Sequence, residues 1–238
     1  MSYAGIKRAT LWLLGASSGF VLIEPSPYEL IFLIPLFVFA LTGIRFSQKL
    51  LPLALLLLAF NLGGIVSLIP WMDDGDAVRF MAVSVYLMIT AIFVAGIISQ
   101  DAVGRLETLR RGYLFAAWCA GFAAILGYFD IANLGATFTL YGRASGTFKD
   151  PNVLGSFLVL PVVYGLQRML TGQTGFLRGL ALISVPLAGL FLTFSRGAWG
   201  VLVASAMIMI ALTFLAAPDA RSRLRIATMA LIALAVMV

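Results

Sequence analysis

Apolar positions fall in nine long stretches, at residues 9–23, 28–45, 50–70, 79–98, 111–129, 151–167, 179–194, 198–217 and 226–238, parted by charged or turn-forming clusters. The stretches are continuous and do not alternate with polar positions, as Leu53-Ala54-Leu55-Leu56-Leu57-Leu58 illustrates. A barrel strand would alternate, so the pattern predicts helices. A helix needs about 20 apolar residues to cross the hydrocarbon core. The predicted architecture is all-α: a polytopic transmembrane helix bundle of about nine spans, forming one domain over residues 1–238.

Composition agrees with that pattern. The chain is 62% hydrophobic and 11% charged, against roughly 45–50% and about 25% in soluble domains. Its mean hydropathy is +1.05. A soluble interior could not hide that much apolar surface. Charge then sets the orientation. Taking alternate loops, one side holds Lys7, Arg8, Arg45, Lys49, Arg105, Arg110, Arg111, Arg168, Arg178, Arg221, Arg223 and Arg225, which is 12 of the 16 cations. The other holds Arg79, Arg143, Lys149 and Arg196 with most of the carboxylates. Cationic loops resist translocation, so the N-terminus is expected in the cytoplasm and the chain in a bacterial inner membrane as a multi-pass protein. The net charge of +6 follows from those short loops and does not imply a nucleic-acid partner. Lys7 and Arg8 precede the first stretch as in a signal peptide, but no small-x-small cleavage site follows before Glu24-Pro25, so it is expected to be retained.

Cys119 is the single cysteine and excludes an intramolecular disulfide, and the absence of histidine excludes a His-based metal site or general base within these residues. No metal and no cofactor is expected. Asp73, Asp74 and Asp76 lack calcium-loop spacing and suit a solvated loop. Asn61 and Gln167 suit interhelical hydrogen bonds, and Trp12, Trp71, Trp118 and Trp199 suit interfacial anchoring. The last stretch, 13 residues, is short for a span. The chain is therefore expected to be the front part of a longer protein.

Polar groups concentrate in two segments on the cation-poor side, Tyr141 to Gly155 and Thr193 to Trp199. Asp150 precedes Pro151 as an N-cap precedes a proline at the first helical position, and Ser195 can cap the next outward-starting helix. Two helix N-termini, each with a cation beside it, suit a phosphate or diphosphate. Arg143 and Arg196 could grip it bidentately, Lys149 could add a point charge, and Gly142 and Gly146 would let backbone approach. The same arginines could instead snorkel to lipid headgroups, and the motifs could be helix punctuation alone.

Gly142-Arg143 with Gly146-Thr147-Phe148, Asp150-Pro151-Asn152 and Gly155, followed by Thr193-Phe194-Ser195-Arg196-Gly197-Ala198-Trp199, resembles the O-antigen ligase and O-antigen polymerase superfamily. The motif likeness covers about 22 residues and the topology most of the chain. The resemblance implies an inner-membrane glycosyltransferase of lipopolysaccharide or polysaccharide biosynthesis. It would move a glycan from an undecaprenyl diphosphate carrier to an acceptor glycan or glycolipid on the periplasmic side, among membrane lipids and without a metal. It casts Arg143 and Arg196 as the groups that hold the carrier diphosphate; together with the residue reading, Arg143 and Arg196 are the expected catalytic residues and Lys149, Asn152, Ser195 and Gly146 the expected substrate-binding ones. It also implies a large periplasmic loop carrying a histidine, which these residues do not contain. A transporter or permease, or a non-catalytic membrane subunit, fits composition and span count equally well. The outer position of the polar groups and the lack of a repeat favour the enzyme.

Overall fold

A computed structural model describes residues 3–44 and 47–237, the side chains of 229–237 excepted; Arg45, one of the cations used for orientation, lies outside them. The chain is mostly helical. Its helices are α1 (Tyr3–Ser17), α2 (Pro27–Thr42), α3 (Leu51–Leu68), α4 (Gly75–Gln100), α5 (Ala102–Tyr128), a single turn α6 (Gly135–Phe138), α7 (Pro151–Leu170), α8 (Phe176–Leu192), α9 (Arg196–Ala216) and α10 (Ala220–Met237). Each of the nine apolar stretches overlaps one long helix. Among the described residues four segments, Gln48–Trp71, Gly75–Gln100, Pro151–Leu170 and Arg196–Ala216, are long and apolar enough to cross a membrane, and Pro27–Thr42 and Phe176–Leu192 are shorter apolar helices.

The first helix is displaced from its predicted place. Residues 9–23 are mostly apolar, yet α1 runs from Tyr3 to Ser17, taking in Lys7 and Arg8, and the chain from Gly19 to Ser26 is not helical. Val21 instead donates its amide to the Thr147 carbonyl (2.9 Å). Over a run this short, hydropathy alone does not distinguish an extended segment from a helix.

Two compact units make up the chain, Met1–Gly15 with Tyr28–Gly112 and Ala16–Pro27 with Tyr113–Val238. The first centres on Leu11, Leu14, Phe32, Phe39, Phe93 and Ile97. Phe32 and Phe39 meet Phe93 edge-on, at 5.4 and 6.1 Å between ring centres. Asn61, buried on α3, donates to its own Leu57 carbonyl and accepts from the Ser84 hydroxyl of α4 (3.0 Å), the interhelical role expected of it. Gln167 is exposed.

The second unit packs α7 against α8 and α9 around Leu154, Leu158, Val162 and Leu190, with Ala117, Ala120 and Ala124 letting α5 approach. Two prolines interrupt this core. Pro161 lacks the N–H that would bond the Phe157 carbonyl, and Pro186 leaves the Leu182 carbonyl in the same state. Helix α5 supplies both missing donors. The Tyr113 hydroxyl donates to Phe157 O (2.6 Å) and the Trp118 indole N–H to Leu182 O (3.0 Å). Trp118, expected from sequence only as an interfacial anchor, thus also has a structural partner.

Arginines on the cation-rich side do similar work at helix C-termini, whose last carbonyls have no intrahelical donor. Arg105 donates to Ile97 O near the end of α4 (2.5 Å), Arg225 to Met169 O of α7 (3.2 Å) and Arg223 to Ala217 O after α9 (3.4 Å). Asp219 caps the start of α10, accepting the Ser222 amide (2.7 Å) and hydroxyl (3.2 Å), which hold its carboxyl below the usual carboxylate range.

Candidate functional site

The residues between α5 and α7 form a small structured loop. Thr139–Leu140 (β1) pairs antiparallel with Arg143–Ala144 (β2), and Tyr141 and Gly142 close the hairpin with φ of +53° and +71°. Left-handed backbone at both turn positions is what a two-residue hairpin of matching twist requires, and Gly142 supplies one of them without strain. Arg143 follows that turn directly. Gly146 also has a positive φ, +54°, and a Cβ there would lie 2.7 Å from the Ala120 carbonyl oxygen. Its role is close packing on α5.

Both predicted caps are formed. The Asp150 carboxylate accepts the Asn152 amide at the start of α7 (2.6 Å), and the Ser195 hydroxyl accepts the Ala198 amide at the start of α9 (3.3 Å). The two helix starts lie against each other at Gly155, where a Cβ would stand 2.8 Å from Ala198 Cβ and 3.0 Å from Thr193 Oγ1. Gly155→Ala is therefore expected to cost about 1–3 kcal/mol by overpacking, while Val153→Ala, on the exposed side of the same turn, should cost less. Thermal unfolding of the purified protein in detergent measures the difference.

The turn from α8 to α9 is short and strained. Phe194 has φ +48°, in a region that bulky side chains rarely occupy. Thr193 before it is fully buried; its hydroxyl donates to Leu190 O (2.6 Å) and accepts the Ser195 amide (3.2 Å). The Thr193 carbonyl is left for Arg143. The Arg143 Nε donates to it (2.7 Å) and Nη2 donates to Asn152 Oδ1 (2.8 Å). One half-buried guanidinium thus ties both motif segments together, and three of its five N–H groups remain for a ligand.

The other candidates divide. Ser195 is buried in its capping role, whereas Arg196, one residue on, is exposed and has no hydrogen bond or ion pair among the described residues. Asn152 is exposed and shared with Arg143. Lys149 is engaged: its Nζ lies 2.8 Å from Glu24 Oε1. The Thr147 hydroxyl donates to the Gly19 carbonyl, so residues 19–24 run beside residues 147–149. Sequence reasoning missed Glu24 and Gly19, since no local signal links them to a segment more than a hundred residues away. Aromatic rings cluster around Phe194, two residues before Arg196. Phe194 lies 5.9 Å from Tyr128 and 6.3 Å from Trp199 between ring centres.

Chemically the site offers two guanidinium groups and two capped helix starts, a set suited to an anion with several oxygens. No group of three or more His, Cys, Asp or Glu that could hold a metal occurs among the described residues. No protein-family model, curated protein or solved structure matches the chain.

Proposed function

We propose that the chain is the donor-binding part of an inner-membrane glycosyltransferase resembling the O-antigen ligases and polymerases, with nine spans, a cytoplasmic N-terminus and this site on the periplasmic side. The observation that carries the reading is the Arg143 guanidinium, bonded at once to Thr193 O and Asn152 Oδ1. It joins the two segments on which the resemblance rests. A helix-punctuation role would not require them to share a cation.

In this reading the carrier diphosphate lies between the remaining donors of Arg143 and the guanidinium of Arg196. As the bond from the anomeric carbon to the diphosphate oxygen breaks, negative charge grows on the leaving group. Fixed donors stabilise that charge more than they stabilise the ground state. Asn152 positions Arg143, Ser195 sets the start of α9, and Lys149 contributes long-range positive charge, tempered by Glu24. The acceptor is a hydroxyl of a glycan or glycolipid attacking the opposite face of the sugar.

Binding of undecaprenyl diphosphate to the purified chain tests the proposal. Saturable binding that weakens at least tenfold in Arg196→Ala is expected, with thermal stability near the parent value because Arg196 is exposed and makes no hydrogen bond or ion pair among the described residues. Binding indifferent to Arg196, or none, would favour a transporter or a non-catalytic membrane subunit.

A further inference from the structure

In the first unit, two cations converge on one aromatic ring. Phe39, fully buried near the end of α2, has the Lys7 Nζ of α1 5.1 Å from its centre and the Arg105 guanidinium carbon of α5 at 4.9 Å. The two charges are thus no more than about 10 Å apart, one Debye length at moderate salt, and both are half-buried, where screening is weaker. A ring face attracts each cation by about 0.5–2 kcal/mol but does nothing for their mutual repulsion.

The nearest carboxylates along the chain are occupied elsewhere. Glu107 is held by Arg110 and Arg111, and Asp101 Oδ1 accepts the Gly104 amide at the start of α5. Neither Lys7 nor Arg105 has an ion pair among the described residues. Arg105 makes its bonds to Ile97 O and Gln100 Oε1 through Nη1 alone, which leaves Nε and Nη2, the fork that grips a phosphate, unused.

The surroundings define the ligand further. Tyr3, Leu41, Val103 and Leu106, close in sequence to these three residues on the same helix ends, are 79%, 72%, 85% and 55% exposed. An anion that meets two cations on helix ends that also expose apolar side chains is suited to carry acyl chains of its own. We infer that Lys7 and Arg105, with Phe39 as their floor, bind the phosphate of an anionic phospholipid headgroup. The lipid supplies the negative charge that no described residue brings to Lys7 or Arg105 as an ion pair, and covers exposed apolar side chains.

The test is thermal unfolding of the full chain in detergent, titrated with short-chain phosphatidylglycerol, short-chain phosphatidylcholine and inorganic phosphate. A saturable rise in Tm is expected with phosphatidylglycerol alone. The half-saturating concentration should rise at least tenfold in Lys7→Gln and stay near the parent value in Lys7→Arg. Arg111→Gln, whose charge is already paired, should bind as the parent does. Because Arg105 also caps α4, Lys7 carries the test. Equal shifts with phosphatidylcholine, equal shifts with phosphate, or an affinity indifferent to Lys7→Gln would overturn the inference.

Discussion

Arg143→Ala is expected to lose stability and ligand binding together. Two charge-assisted hydrogen bonds disappear, and the Thr193 carbonyl at the end of α8 is left without a donor. Hydrogen bonds to charged groups are worth about 1.5–3 kcal/mol, and the guanidinium is half-buried, so a loss of about 2–3 kcal/mol is expected. Arg143→Lys separates the two effects. An ammonium keeps the charge but cannot hold Thr193 O and Asn152 Oδ1 in one planar fork while presenting further donors. It should recover about half the stability and bind undecaprenyl diphosphate at least tenfold more weakly than the parent. A double-mutant cycle with Asn152→Ala should give a coupling of about 1 kcal/mol in unfolding measurements, whereas Arg143 and Arg196, which share no protein partner, should be additive. Parent-like binding by Arg143→Lys would remove this residue from the proposed site.

The placement of helices was legible because hydropathy is a one-dimensional signal read over 15–20 residues, and the caps at Asp150 and Ser195 were legible because they are local. What escaped has a different cause. Phe20-Val21-Leu22-Ile23 extend the first apolar stretch beyond Ser17, so composition alone could not place the helix end. Lys149 read as an outer cation because Glu24 lies in a distant segment. Arg143 read as a ligand-binding or snorkelling residue, without a partner in the protein, because its carbonyl partner, at Thr193, depends on the left-handed backbone of a phenylalanine, which no propensity anticipates. Partners near in sequence could be anticipated; partners brought together by the turn at Phe194 could not.

Trp118 shows the same limit and leads to a second strong expectation. Tyr113 and Trp118, five residues apart on α5, each donate to the one carbonyl that a proline has orphaned, at Phe157 and Leu182 respectively. An unsatisfied carbonyl in a water-free core costs about 1–3 kcal/mol in mutational terms and more in hydrocarbon. Tyr113→Phe removes only the hydroxyl, keeps the ring contact to Phe157 at 4.6 Å, and should destabilise by that amount. The proline supplies the control. In Pro161→Ala the restored N–H can bond Phe157 O within α7, so Tyr113→Phe should then cost less than half as much, giving a coupling of about 1 kcal/mol or more. Trp118→Phe with Pro186→Ala should behave likewise in α8. If Tyr113→Phe costs the same with and without Pro161, the hydroxyl is not filling the proline gap. If both cycles couple, α5 holds α7 and α8 at their two interruptions. The helices that begin or end at the Arg143 site would then owe their alignment to residues far from any ligand.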